Sequence, residues 1–178
     1  LQDMVNRLTD APLIAMEIMG KNAVERWRQL LGPTDPAEAR QVAPNSLRAR
    51  FGKDPLENAV HGSKDPESAA AETEFFFPQN GGSRAGTVKR VNSTCGIIKP
   101  HAFTEGQAGK IISDIFSSNF NITAMMMFHL DRQDAEEFLE VYRGVVAEFT
   151  SMVDELTSGP CIALEISAPP GDDVHHEF

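Results

Sequence analysis

Apolar and polar positions fall into blocks along the chain, and the period of each block predicts an element. Leu1 to Thr9 has the spacing of a helix tail, and Leu13 to Met19 is an apolar run broken only by Glu17, as in a buried strand. "NAVERWRQLLG" repeats at helical spacing, with Asn22 as N-cap, Val24, Trp27 and Leu31 on one face, and Gly32 as the stop. Pro33 to Asp54 has no apolar period and reads as irregular, and Asn58 to Val60 reads as a short strand. Asp65-Pro66 opens a helix reaching about Phe76. Past the polar, glycine-rich stretch Pro78 to Asn92, the strand "TCGIIK" is followed by a helix from about Glu105 that buries Ala108, Ile111, Ile112 and Ile115. The strand "NITAMMMFHL" comes next, its methionines expected in the core. A helix presenting Ala135, Phe138, Leu139 and Tyr142, a second helix and a strand from Cys161 complete the pattern.

One block occurs twice. "MVNRLTDAPLIAMEI" at Met4 to Ile18 returns as "MVDELTSGPCIALEI" at Met152 to Ile166, a constant offset of 148 (152 minus 4). The repeated unit is helix end, turn and strand, and its spacing is that of a domain. The expected organisation is the C-terminal part of one domain at 1–78, a linker at 79–92, and the N-terminal part of a similar domain at 93–178. Leu1 lies inside a helical pattern and Phe178 completes no element, so further sequence is expected on both sides. The element order predicts a mixed α/β sandwich with helices on one face of the sheet. "GGSRAG" in the linker is not a phosphate loop, because no G-x-x-x-x-G-K-[ST] occurs in the chain.

The composition supports a packed core: 41% of the 178 residues are hydrophobic and 24% charged. A net charge of −10, from 26 acidic and 16 basic residues, argues against nucleic acid as the partner. No apolar run has the length of a membrane span, so no membrane partner is expected. Cys95 and Cys161 sit in apolar strand-like runs and read as buried, reduced thiols, which fit the cytoplasm.

The chemistry gathers around "LENAVHGSKDPES", which holds His61. Arg28, Thr34 and Arg48 upstream are residue types that clamp phosphates, Arg bidentately. Asn58 lies three residues before the histidine, and Glu72 follows on the next helix. A carboxylate holding one ring nitrogen leaves the other bare as a nucleophile. Spacing does not show that these residues converge, so from the residues alone a polar loop histidine is the favoured reading and a nucleophile the open alternative. "HHE" at His175 to Glu177 lies in an acidic tail and is not read as a metal site.

"NAVHGSKDPESAAAETEFFF" resembles the active-site segment of nucleoside diphosphate kinases, N-x-x-H-G-S-D-S-x-E-S-A-x-x-E. "RQLLGPTDPAEAR" and "PNSLRARFG" are similar to the family's R-x-x-[ML]-G-x-T-[ND]-P-A and P-G-T-[IL]-R-x-x-[FY]. "TCGIIKPHAFTEGQAGKII" is similar to its Lys-Pro segment. The resemblance implies a ferredoxin-like α/β sandwich with an antiparallel sheet. It makes His61 the phosphate-accepting nucleophile, with Ser63 and Glu72 orienting the ring. Arg28, Thr34 and Arg48 would hold nucleotide phosphates, Asn58 the ribose, and Lys99 a nucleotide in the second domain. It further implies ping-pong transfer from ATP or another nucleoside triphosphate, with Mg²⁺ carried on the phosphates and no metal site on the protein. Met4 and Pro55 would lie near the base.

In one domain of this family the Lys-Pro strand precedes the His-Gly-Ser strand; here Lys99 follows His61, so two incomplete domains succeed one another. That order resembles tandem family members of cilia and centrosomes. It implies a cytoskeletal, axonemal or centrosomal location and tubulin, doublet-microtubule or centrosomal proteins as partners. The alternative it carries is a structural component of those assemblies with a vestigial or regulatory nucleotide site. Departures from the pattern are His101 in place of an Asp, Leu139 or Glu140 near an expected Tyr, Glu57 in place of a basic residue, and a longer Pro36 to Pro44 loop.

Overall fold

The computed structural model describes residues 11–78, 86–169 and 174. The chain divides into two compact units, Leu1–Ala85 and Gly86–Phe178. The expected Leu1 to Thr9 helix, Met4, and His175 to Glu177 lie outside the described residues.

The described part of the first unit is helical. Its helices are α1 (Ala23–Leu31), α2 (Pro36–Val42), α3 (Leu47–Phe51) and α4 (Pro66–Phe76). Three of the four are started by a side-chain cap. Asp35 accepts from the Ala37 N–H, Ser46 from the Ala49 N–H and Asp65 from the Ser68 N–H. Proline stands in the first turn of α2 and α4, where its missing N–H costs nothing. These caps explain why the segment read as irregular folds into two helices. Both helices are too short to show an apolar period, and they bury only Pro36, Ala39 and Ala49. Asn22 does not cap α1: it is left-handed at φ 55° and its side chain makes no capping bond. Gly32 does end α1, at φ 76°.

Neither strand expected in this unit forms. Leu13, Ile14, Met16, Ile18 and Met19 are exposed, and no described residue of the unit pairs with them. A strand is completed only by a neighbour's hydrogen bonds, which local sequence cannot supply. At Asn58 to Val60 the Val60 N–H closes a tight turn onto the Asn58 carbonyl (2.9 Å) around Ala59, held at φ 72°.

The second unit is a three-stranded antiparallel sheet with helices. β1 (Ser93–Ile98), α5 (Pro100–Thr104), α6 (Ala108–Ser117), β2 (Asn121–Phe128), α7 (Arg132–Phe138), a 3₁₀ turn (Glu140–Tyr142), α8 (Phe149–Thr157) and β3 (Cys161–Ser167) follow in order. β3, the repeat of Leu13 to Met19, is central and pairs with both neighbours in the order β1-β3-β2. Ile98, Ile162, Leu164 and Ile166 form one core with Ala108, Ile111, Ile112 and Ile115 of α6. Ala135, Leu139, Val153 and Leu156 form a second core that Ile97 joins. Ile97 and Ile98 are neighbours on a strand and point to opposite faces. Helices therefore cover both faces of the sheet, not the single face expected.

The methionine run is only partly core. A bulge at Thr123 shifts the phase of β2, so Met125 packs inward and Met126 faces out; Met127, near the strand end, is exposed as well. Phe138 and Tyr142 are also exposed, Tyr142 beyond the point where the helix gives way to the 3₁₀ turn. Cys161 is buried, as expected, but Cys95 is exposed.

The bulge has a partner. Glu165 of β3 accepts hydrogen bonds from Thr123 Oγ1 (2.6 Å), the Lys89 N–H (2.8 Å), the Arg90 N–H and Ser93 Oγ (2.9 Å). These donors, led by the Thr123 hydroxyl, favour the carboxylate and hold its pKa at about 2, below the ordinary 4.5. A depressed folded pKa gives stability that is complete above the unfolded value and lost as pH falls toward the folded one. Glu165→Gln should lower the thermal midpoint at pH 7, and the deficit should shrink between about pH 4.5 and 2. Melting curves across that range test it.

Candidate active site

His61 follows the Ala59 turn directly, and its side chain is 77% exposed. The ring is held at one end. Nε2 lies 2.9 Å from Glu72 Oε2, an oxygen that also accepts from Ser63 Oγ at 2.8 Å. Glu72 sits on α4, which the Asp65 cap and Pro66 start just beyond the histidine. The Ser63 bond first and the His61 bond second hold the Glu72 carboxyl below its usual pKa, so it is ionised at neutral pH. An ionised carboxylate can only accept, so the proton in this contact belongs to Nε2. Nδ1 is then the nitrogen with the free lone pair.

Arg28, Thr34, Arg48, Asn58 and His61 all line one open cleft of about 680 Å³. That is within the size range of small-ligand sites. Leu56 and Pro55 contribute apolar wall, and Asn58 Nδ2 donates weakly to the Thr34 carbonyl (3.4 Å). Glu72 and Ser63 support the ring from outside that lining.

Arg48 does more than face the cleft. Its Nε and Nη2 both donate to the Val60 carbonyl (3.2 and 3.1 Å), and Nη1 donates to the Gly32 carbonyl (3.0 Å). Three of its five N–H groups hold backbone, leaving two for a ligand. Burial first, then the charge of Arg28, push the Arg48 guanidinium below its ordinary pKa, though it stays cationic. Two guanidiniums gathered on one wall make a field that favours an anion.

Lys99 lies in the second unit, exposed, at the head of α5. Beside it His101 Nδ1 meets Glu155 Oε1 at 2.6 Å. That pair was not anticipated from sequence, because its members lie 54 residues apart. Also unanticipated is the contact of Trp27, whose indole N–H donates to the His61 carbonyl at 3.2 Å.

Gly62 is required for this packing. A Cβ at that position would stand 2.6 Å from Leu31 Cδ1 and 2.8 Å from Trp27 Cδ1. Gly62→Ala should therefore cost about 1–3 kcal/mol by overpacking and displace His61. Urea unfolding should show the loss.

Residues 1–81 and 92–174 match the family model described as nucleoside diphosphate kinase. A rat protein named nucleoside diphosphate kinase homolog 7 is 49% identical over 177 residues, covering 99% of this chain and 45% of its own length. Thioredoxin domain-containing protein 6 of Xenopus laevis is 33% identical over 98% of the chain and 25% of its own length. The nucleoside diphosphate kinase of Aquifex aeolicus is 47% identical over 76 residues, 43% of the chain and 54% of its own length. A crystal structure of the Aquifex enzyme covers 42% of this chain and 52% of its own, at 34% identity and a TM-score of 0.40. The chain thus spans less than half the length of the rat relative.

Proposed function

Because the chain belongs to the nucleoside diphosphate kinase family, we propose that its first unit, as part of a longer parent protein, moves the γ-phosphoryl group of a nucleoside triphosphate onto a nucleoside diphosphate through phospho-His61. The observation that carries this reading is the His61–Glu72 contact at the edge of a cleft walled by Arg28 and Arg48. Nδ1 attacks the γ-phosphorus in line; the bond to the bridging oxygen breaks, and the diphosphate leaves with its electron pair. Glu72 holds the Nε2 proton throughout and stabilises the imidazolium character that develops. In the second half a terminal oxygen of another diphosphate attacks, and the N–P bond returns its electrons to Nδ1. Charge spreads over the transferring group in the transition state, where Arg28 and the two remaining donors of Arg48 act.

Mg²⁺ is carried on the phosphates of the nucleotide, which donate hard oxygen ligands. The carboxylates around the cleft are already engaged: Glu72 with His61 and Ser63, Asp65 with Ser68 and Lys64, Glu57 with Lys53. Asn58 and Thr34 fit a ribose and a phosphate. In the second unit Lys99 would serve a separate nucleotide site.

The wider setting is proposed from sequence resemblance alone. It comprises two incomplete kinase-like domains at 1–78 and 93–178 joined by 79–92, in a cytoskeletal, ciliary or centrosomal location beside tubulin or doublet-microtubule proteins. Incubation of the full-length parent protein with γ-labelled ATP and Mg²⁺ tests the chemistry. The expected result is acid-labile, alkali-stable label on His61 that chases onto added nucleoside diphosphate. No label would overturn transfer and favour a structural component whose nucleotide site is vestigial or regulatory.

A further inference from the structure

Trp27 is the single tryptophan of the chain, and it lies against the backbone of the nucleophile. It sits on α1 one turn before buried Leu31, and both side chains close on Gly62. Its Nε1–H donates to the His61 carbonyl at 3.2 Å. The preceding carbonyl, that of Val60, is held by Arg48 at 3.2 and 3.1 Å. The backbone is thus gripped on both sides of the His61 Cα by side chains of two helices, while Glu72 grips the ring tip. Those carbonyls fix the direction of the Cα–Cβ bond, and with it the place where Nδ1 stands. Reacting atoms must meet within a narrow geometry, so a small drift of this bond is costly to rate.

We infer that Trp27 is a positioning residue for His61, acting through its indole N–H and not merely through the bulk of its ring. The inference rests on the phosphotransfer reading above. It makes a specific separation: phenylalanine keeps an aromatic ring beside Gly62 but loses the donor, whereas alanine loses both.

The test uses the full chain with Trp27→Phe and Trp27→Ala. Trp27→Phe is expected to unfold only slightly below the wild-type midpoint, by the loss of one hydrogen bond, and to keep KM for nucleotide. Its kcat should fall about tenfold, the scale of one neutral hydrogen bond. Trp27→Ala should lose stability as well. Wild-type kcat in Trp27→Phe overturns the inference.

A second readout needs no nucleotide. Phosphoramidate phosphorylates histidine directly, and the single indole ¹H–¹⁵N resonance can be followed as it acts. The resonance is expected to shift in wild type and not in His61→Gln. An unmoved resonance in a sample carrying phospho-His61 overturns the positioning role. A shift with phosphoramidate in a protein that takes nothing from ATP supports the Trp27–His61 coupling while overturning the phosphotransfer reading.

Discussion

His61→Gln should leave a folded protein that takes no acid-labile label from ATP and loses transfer to nucleoside diphosphate by more than about 10³-fold. The fold survives because the imidazole is largely exposed and contributes its contact only to Glu72. Glutamine can still donate to that carboxylate, so Glu72 and Ser63 keep a partner. It has no nitrogen lone pair able to attack phosphorus, because the amide delocalises it. Nucleotide affinity should stay near wild type, since Arg28, Arg48 and Asn58 are untouched. Label on another residue, with transfer intact, would place the nucleophile elsewhere.

Arg48→Ala is expected to damage both stability and transfer. The guanidinium is partly buried, and its three bonds satisfy the Val60 and Gly32 carbonyls. Bonds from a charged donor contribute about 1.5–3 kcal/mol each, and they are not additive at one residue, so a loss of about 3 kcal/mol is expected. Transfer should fall by about 10²-fold, because the turn presenting His61 loses its anchor as the cleft loses a charge. Arg48→Lys separates the two causes. Lysine restores the positive charge but cannot bridge two carbonyls with a planar fork. It should therefore recover less than a tenth of the lost rate. Near-complete recovery in Arg48→Lys would make the residue a charge alone and remove its role as an anchor.

Much of this site was legible because its signals are local. Asp65-Pro66 announces α4, Gly32 ends α1, and the His-Gly-Ser segment with its arginines carries a recognisable pattern. Asp35-Pro36 carries the same start signal as Asp65-Pro66, yet α2 was read as irregular because seven residues with two buried positions give no period. Ala59 shows why the turn was missed. A left-handed bend normally advertises itself with Gly or Asn, and an alanine held there is set by its surroundings. The two copies of the repeat make the same point about strands. Cys161–Ser167 and Leu13 to Met19 share their pattern, but among the described residues only the first has strands, β1 and β2, to bond with. Helix covering both sheet faces, and the phase shift at Thr123, depend on contacts that no single stretch encodes.

Trp27 through Glu72 encloses every group assigned to the proposed chemistry in the first unit, all of it on helices and turns and none on a β-ladder. Reactive groups gathered into one uninterrupted stretch can be switched off by a few substitutions without unravelling the architecture around them. Were such a module duplicated, one copy could lose its chemistry while the other kept it.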